Sequence, residues 1–387
     1  MLSRRALLVT GGASILVLGG GYAGLSSMSD ISSAREPWKQ ASKGFGDARL
    51  NAAAYAILAP NPHNRQPWII RLEGDDSLTL FCDLNRRLPE TDPPDRQITI
   101  GLGAFLELMR QAAAEQGNRL EVTKFPEGEP GNRLDARPIA HVRFARDANV
   151  ERDPLFGYVL RRRTARLKFD PGRPVPMDRL AALMEISTAL SGLDTTRIDG
   201  SSDPEKVSWL KDLCKRAWEI ELRKPETCHE SSNLTRIGAK QINANPDGIF
   251  LAGPMMEAYR MSGMLTQENM DEVGSTAWQA TKSFYDGLIE SAPTFLWFTT
   301  PGNSRSEQLD SGAVWVRLQL AAAAAGVGFQ PLSQVLQEYS EMAAPFAEIH
   351  EHFGVTLPGR VQGLFRLGYS RGQPPSPRWP LESRIVT

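Results

Sequence analysis

GAFLELMRQAAAEQG, residues 103–117, returns as GAVWVRLQLAAAAAG, residues 312–326, so that Gly103-Ala104, Ala112-Ala113-Ala114 and Gly117 match Gly312-Ala313, Ala321-Ala322-Ala323 and Gly326. The offset is 209 at both ends of the match (312 − 103 and 326 − 117). Each copy carries apolar residues at helical spacing and stops at a glycine, the residue that most easily takes the left-handed turn closing a helix. Strand-like runs flank both copies: Leu78 to Cys82 and Ile139 to Phe144 around the first, Phe295 to Thr299 and Val361 to Leu367 around the second. Ala-rich helices capped by glycine are common, yet a constant offset with matching flanks reads as one unit present twice, two halves of a symmetric dimer fused in one chain.

Around this pair, Asp47 to Leu58 reads as an Ala-rich amphipathic helix, Trp68 to Leu72 as a strand, and Met177 to Leu190 and Pro204 to Leu222 as helices. The two long helices are expected over Ile100 to Gln116 and Asp310 to Ala325, with an aromatic strand at Pro293 to Thr299. Such alternation gives an α+β layout. The 387 residues include 44 Lys+Arg against 45 Asp+Glu, which leaves no basic field for a nucleic-acid backbone and no acidic tail. Cys82, Cys214 and Cys228 lack the paired short spacings of a zinc site or a redox dithiol, so disulfides are not what holds this fold, although Cys214 and Cys228 could pair or stay as core thiols.

The chain opens MLSRRALLVTGGASILVLGGGYAGL. Gly19, Gly21 and Gly24 satisfy G-x-G-x-x-G after the apolar run Ile15 to Leu18, which looks like the start of a two-dinucleotide-binding flavoprotein. That motif needs a following helix and a second strand ending in an acid; Ser26 to Ser33 has no apolar face, and Pro37 closes the window. A signal peptide accounts for more of the residues. Arg4-Arg5 form a charged region, Ala6 to Leu18 an apolar core too short for a comfortable span, and Gly21-Tyr22-Ala23 a small-x-small cleavage signal. Ser3-Arg4-Arg5-Ala6-Leu7-Leu8 resembles the twin-arginine signature, which predicts export through the twin-arginine translocation machinery, cleavage near Ala23 and a periplasmic mature protein; a retained N-terminal anchor is the other outcome the pattern allows. The expected organisation is a signal peptide at 1–23, a polar linker at 24–43, a first half at 44–150 and a second half at 151–387.

Three strings carry chemistry. Ala59-Pro60-Asn61-Pro62-His63-Asn64-Arg65-Gln66-Pro67-Trp68 is a loop pinned by three prolines. Its amides at Asn61, Asn64 and Gln66, held in a fixed frame, suit a planar heterocycle with carbonyl and imide edges; a rigid turn over a buried Trp is the structural alternative. Arg161-Arg162-Arg163-Thr164-Ala165-Arg166 gathers four guanidinium groups and a hydroxyl, suited to a phosphate monoester or else a solvated basic face. Gly326-Val327-Gly328-Phe329-Gln330-Pro331 follows the second long helix; its glycines let backbone pass close to a ring and offer N–H groups, or simply cap a helix before a strand.

Together these strings resemble the nitroreductase-like FMN-binding flavoproteins. The first matches that family's A-P-S-x-x-N-x-Q-P-W segment at Ala59, Pro60, Asn64, Gln66, Pro67 and Trp68, with Asn61-Pro62 where serines are common. The second is similar to its R-R-S-x-R segment, with Thr164 in place of serine and the following aromatic, Phe169, one residue late. The third is similar to its G-L-G-x-x-P segment, and Val361 to Tyr369 with Pro377-Arg378 to its closing strand and phosphate-binding tail. The long chain resembles in particular the single-chain twin, Acg-type branch. The resemblance implies an internally duplicated nitroreductase-like α+β fold that mimics the family's homodimer. It also implies FMN held by Pro60, Asn61, Asn64, Gln66, Arg162, Arg163, Thr164, Arg166, Gly326, Gly328, Phe329, Gln330, Pro331 and Arg378. Because the amide loop occurs only in the first half and the arginine string only in the second, one FMN per chain is expected between the pseudo-subunits, in a monomer or a homo-oligomer.

The implied activity is electron transfer through flavin N5 to a nitroaromatic or quinone-like acceptor, with no side chain required as acid or base. NAD(P)H is the implied donor, but an exported protein meets little of it, so another donor is the alternative. Cys228 to Gln279, with the Met-rich stretch Met255 to Met264, reads as an insertion lid. In the twin branch such a lid goes with a closed flavin site, and the second functional reading is accordingly a catalytically silent protein that sequesters FMN. His350-Glu351-His352 reads as a solvated helix end rather than a metal site, and Cys228-His229-Glu230 as loop.

Overall fold

Two antiparallel sheets share one strand order. In the first half the chain forms β1 (Trp68–Glu73), β2 (Ser77–Cys82), a 20-residue helix (Arg96–Glu115), β3 (Asn118–Lys124) and β4 (Ala140–Arg146). In the second it forms β5 (Arg197–Ser201), an insertion containing β6 (Thr235–Ile237) and β7 (Ile249–Leu251), then β8 (Thr294–Thr300), a second 20-residue helix (Arg305–Ala324), β9 (Gly328–Pro331) and β10 (Arg360–Gly368). The sheets run β1-β2-β4-β3 and β5-β8-β10-β9, so in each the strands of the half lie in the order first, second, fourth, third. A C-terminal strand, β11 (Ile385–Val386), crosses back and pairs in parallel with β1. The computed structural model describes residues 28–185 and 196–386, so the expected signal peptide and the part of the helix expected over Met177 to Leu190 that follows Glu185 lie outside the described residues.

The two long helices cross where the repeat puts its glycines. A Cβ on Gly103 would overlap the Leu309 carbonyl, and one on Gly312 would overlap the Ile100 carbonyl, so the backbones touch because neither residue has a side chain. Around the crossing, one apolar core gathers Trp68, Phe105 and Leu108 with Leu309, Val316 and Leu320 from the other half. A second core lies between the helix Pro204–Arg223 and the β8–β10 pair.

Both long helices begin earlier than the apolar pattern indicates, at Arg96 and Arg305, because their first turns are held by polar groups. Asp92 accepts from Ile98 N (2.9 Å), and Ser304 and Glu307 form a reciprocal capping box. β3 escaped the sequence reading because NRLEVTK buries only Asn118 and is too polar to show alternation. Within the linker expected at 24–43, the described residues include a helical turn at Ser33–Arg35 and the helix Glu36–Gln40, which has Pro37 in its first turn and buries Trp38. Cys228-His229-Glu230 is helical, within Pro225–Asn233. His350 is a core histidine, not a solvated one; Nδ1 bonds the Phe346 carbonyl (2.7 Å) and Nε2 accepts from Val361 N (3.1 Å). The three cysteines are separate buried thiols.

Candidate functional site

The short helix Ala48–Ala56 ends in carbonyls that gather arginines from distant parts of the chain, as the negative end of a helix dipole favours. Arg378 donates from Nε to Ile57 O (2.9 Å), from Nη2 to Leu58 O and Ala59 O (3.0 Å each), and from Nη1 to Asn64 Oδ1 (2.6 Å) and Pro377 O (2.9 Å). Arg162 donates to the same Leu58 carbonyl (2.5 Å) and to Gln319 Oε1 (2.9 Å). Gln319, on the second long helix, in turn donates to Arg163 O and Thr164 Oγ1 (3.2 Å each), which fixes the arginine string. Beneath lies the Trp38 indole, with the guanidinium carbons of Arg163, Arg378 and Arg162 at 5.0, 5.5 and 5.7 Å from its ring.

Charge at this point is uncompensated. Among the described residues none of Arg162, Arg163, Arg166 and Arg378 forms an ion pair; only Arg35, at the edge, has a carboxylate, Asp30, acting on it. Burial and Arg163 pull Arg162 down to about 9, and burial with Arg162, Arg166 and Arg163 holds Arg378 well below the usual guanidinium range. Arg162 Nε is buried without a partner. The Arg166 guanidinium makes no hydrogen bond among the described residues and stands 5.3 Å from the Phe250 ring. A dianion with several acceptor oxygens fits this vacancy in charge, and so the donor set fits the phosphate end of FMN.

The amide loop is strained and closed. His63, Asn64 and Gln66 all have left-handed backbone (φ 46°, 50° and 54°), a conformation that non-glycine residues keep only when their surroundings impose it. Asn64 Nδ2 donates to Pro377 O (3.1 Å), Gln66 Nε2 to Pro246 O (2.8 Å), and Gln66 Oε1 accepts from Trp379 N (2.9 Å). Asn61 Oδ1 accepts from Gln66 N (2.7 Å), and Pro60 is buried at the loop's start. The structure therefore unites Asn64, Gln66 and Arg378 as a clasp between the first half and the C-terminal tail. The five N–H groups of Arg378 are engaged within the protein, whereas those of the half-buried Arg166 side chain have no partner among the described residues.

The Gly326–Pro331 string joins the arginines through a hydrogen bond from Ala165 N to Phe329 O (2.9 Å). Gly326 (φ 67°) closes the long helix. Gly328 does approach a ring, that of Phe169: an added Cβ would meet its Cε1 at 2.6 Å. Phe329 packs on Phe365, Pro331 pairs across from it, and Gln330 Oε1 accepts from Arg366 Nε (2.6 Å). Arg366 also donates to Ala165 O (3.1 Å) and Leu167 O (2.8 Å), pinning the arginine string from behind. An arginine inside the apolar run of β10 is a signal the sequence reading passed over. Trp38, Gln319 and Phe250 were missed too; Trp38 alone had a visible cue, a lone Trp next to Pro37 in a polar stretch.

The insertion over residues 228–279 lies on this loop. Gly248 N donates to Asn64 O (3.2 Å), and Ser231 Oγ is 3.1 Å from His63 Nε2. Asp247 takes Arg86 Nη1 (2.7 Å), Arg236 Nη2 (2.9 Å) and Trp379 Nε1 (3.2 Å), latching the insertion to both the first half and the tail. Burial would raise the Asp247 carboxyl, but Arg236, Arg86 and Trp379 together hold it below the usual range.

Residues 159–369 match the nitroreductase family. The chain is 32% identical over 157 residues to the Mycobacterium tuberculosis "Putative NAD(P)H nitroreductase acg", a match spanning 41% of this chain and 45% of that protein. It is 33% identical over 126 residues to another Mycobacterium tuberculosis protein without an assigned activity, spanning 31% of this chain and 35% of that protein. The matches thus span less than half the length of these relatives. Among solved structures it is similar to the FMN and NADPH-dependent nitroreductase NfnB of a Sphingopyxis strain (16% identity, TM-score 0.37, covering 61% of this chain and 99% of that one). It is also similar to a nitroreductase with bound FMN from Bacteroides fragilis (16% identity, TM-score 0.33, covering 57% and 89%).

Proposed function

This chain belongs to the nitroreductase family, and on that footing we propose that it is an FMN-dependent oxidoreductase with one flavin site between its two halves. The observation that carries the reading is the unpaired cationic cluster of Arg162, Arg163 and Arg166 with Thr164 beside it, which holds the FMN phosphate. Asn61, Asn64 and Gln66 supply amide groups to the heterocycle once the insertion lifts from them, and the Gly326, Gly328, Phe329, Gln330 and Pro331 segment supplies backbone. Arg378 acts from behind, holding Asn64 and the loop that follows the helix Ala48–Ala56. FMN bound there supplies two-electron chemistry at its N5, with NAD(P)H, as in the relatives' name, or another reductant as donor and a nitroaromatic or quinone-like compound as acceptor.

We further infer that the two halves arose by duplication, which the common strand order and the glycine-on-glycine helix crossing support, and that the chain is exported through the twin-arginine route to the periplasm after cleavage near Ala23. A second functional reading, FMN storage without turnover, is favoured by the two bonds that close the amide loop, Gly248 N to Asn64 O and Gln66 Nε2 to Pro246 O. The test is an absorbance spectrum of the purified mature protein, identification of the released cofactor by mass, and anaerobic addition of NADPH. Near one FMN per chain that bleaches supports the reductase; flavin that does not bleach supports storage or another donor; a colourless protein that takes up no FMN overturns both. Intact mass reports whether residues 1–23 are gone.

A further inference from the structure

β3 ends the first sheet, and its outer rim has no backbone partner among the described residues. Asp147 N donates to Gly117 O (3.0 Å) just before the strand and Phe125 N to Ile139 O (2.9 Å) just after it, and the register with β4 between them is unbroken. Bonded residues alternate along an antiparallel ladder, so Arg119, Glu121 and Thr123 bond to β4 while the N–H and C=O groups of Asn118, Leu120, Val122 and Lys124 point away from it. The equivalent rim of the second sheet is occupied. Phe329, the counterpart of Leu120 (329 − 209), turns its carbonyl outward from β9, and Ala165 N in the arginine string donates to it (2.9 Å).

Open sheet edges are ordinarily guarded by a proline, a bulge or an outward lysine. β3 contains neither proline nor bulge, and its one lysine, Lys124, is drawn to Asp310 of the other half. Arg119 is ion-paired with Asp147 and Glu121 with Arg143, both on the β4 side. Val122, 37% exposed, is left as an apolar side chain on the unguarded strand.

We propose that the β3 rim pairs antiparallel with β3 of a second copy of this chain, joining the two five-stranded sheets across a twofold axis at Val122. The strand's own sequence selects that register. Axes at or before Leu120 require the rim at Asn118, which is 4% exposed, and an axis at Glu121 sets that carboxylate directly against its own copy. Axes beyond Val122 carry Leu120 past the end of the partner strand, onto Pro126 or later. With the axis at Val122, Leu120 faces Lys124 of the second copy, Val122 faces Val122, and Lys124 faces Leu120, each pair exchanging two backbone hydrogen bonds. Glu121 then lies beside the Thr123 hydroxyl of the second copy and Arg119 opposite Phe125, so no like charges face each other.

The test is sedimentation equilibrium of the full mature chain over a range of concentrations. The wild type should rise from the mass of one chain to that of two. Val122→Lys and Val122→Glu should each raise the dimer dissociation constant about tenfold or more, with the melting temperature of dilute samples and the flavin content unchanged. Mixing the two variants should restore the dimer, because at the axis residue 122 meets its own copy and lysine then meets glutamate. Val122→Pro should also block pairing, since it removes an outward N–H and leaves the ladder with β4 intact. A wild type that keeps the mass of one chain at every concentration overturns the proposal and leaves the rim to a different chain. A dimer that persists unchanged in Val122→Lys and Val122→Pro lies elsewhere and also overturns it, and a mixture of the Lys and Glu variants that stays monomeric overturns the axis at Val122.

Discussion

A guanidinium ion without a carboxylate is a costly tenant of a protein interior, and several meet around Trp38. Beside them Arg166, over the Phe250 ring, has the least to lose from removal, since its side chain makes no hydrogen bond within the described protein. Arg166→Ala should therefore leave the melting temperature unchanged but weaken FMN retention about ten- to hundredfold, the loss of about 1.5–3 kcal/mol in charge-assisted bonds, as read by flavin titration. Equal affinity in the variant would remove Arg166 from the phosphate site. Asn64→Ala behaves differently: it strips Arg378 of an acceptor, so reduced flavin content should come with a stability loss of about 1–3 kcal/mol, which the loop sequence alone gave no reason to expect. Glu221 adds a pH dependence. Its folded carboxyl lies near 7 against 4.5 unpaired, so the stability tied to its neutral form is present below pH 4.5 and is lost as pH rises toward 7. Between pH 4.5 and 8, Glu221→Gln should gain about 3 kcal/mol relative to wild type in denaturant titrations; a constant difference across that range would mean the carboxyl titrates normally.

At the scale of elements, the long-helix pair is the feature most legible in the sequence, because helical spacing and a closing glycine are local properties. Its crossing was legible only as a coincidence of glycines at positions 103 and 312; the reason, carbonyl oxygens where a Cβ would stand, is a fact about two helices at once. Gly312→Val should cost about 3 kcal/mol or more, seen as a lower denaturation midpoint, because the obstructing atoms belong to the backbone of Ile100, Gly103 and Ala104 and cannot swing aside. A variant as stable as wild type would mean the helices part freely. What the sequence concealed is of the opposite kind. The arginine and amide strings could be recognised as strings, but that Arg378 would be absorbed by Ile57, Leu58 and Ala59 carbonyls, or that Trp38 would leave an apparent linker to lie under the guanidinium groups, depends on where a helix ends in space. The insertion likewise could be read as a lid from its length, whereas its latch, Asp247, is fixed by three partners that come from Arg86, Arg236 and Trp379.

For the molecule as a whole, the symmetry of the sheets does not extend to the site. At the same offset of 209, the counterpart of Gly326–Pro331 is the segment from Gly117 to Val122 (326 − 209 and 331 − 209), most of it in β3. That strand is the edge of its sheet, paired with β4 alone, and Val122 there is 37% exposed. No arginine string or amide loop joins it among the described residues, whereas Gly328–Pro331 has the Arg161–Arg166 string on one side and β10 on the other. One half thus supplies the amide loop, the other the arginine string, and the tail from Gln373 to Trp379 bonds to both, through Arg163 on one side and Asn64 and Gln66 on the other. Among the described residues, the chain holds the parts of the one site proposed above and the parts of no second one. Light scattering coupled to size exclusion, with flavin absorbance read on the same peak, should accordingly give one FMN per chain irrespective of the assembly state. Dilution that dissociates any oligomer should leave that ratio unchanged, because the contacts that build the site are intramolecular. Two FMN per chain, or flavin released as an oligomer dissociates, would mean that a neighbouring chain completes the site and that fusion of the halves does not.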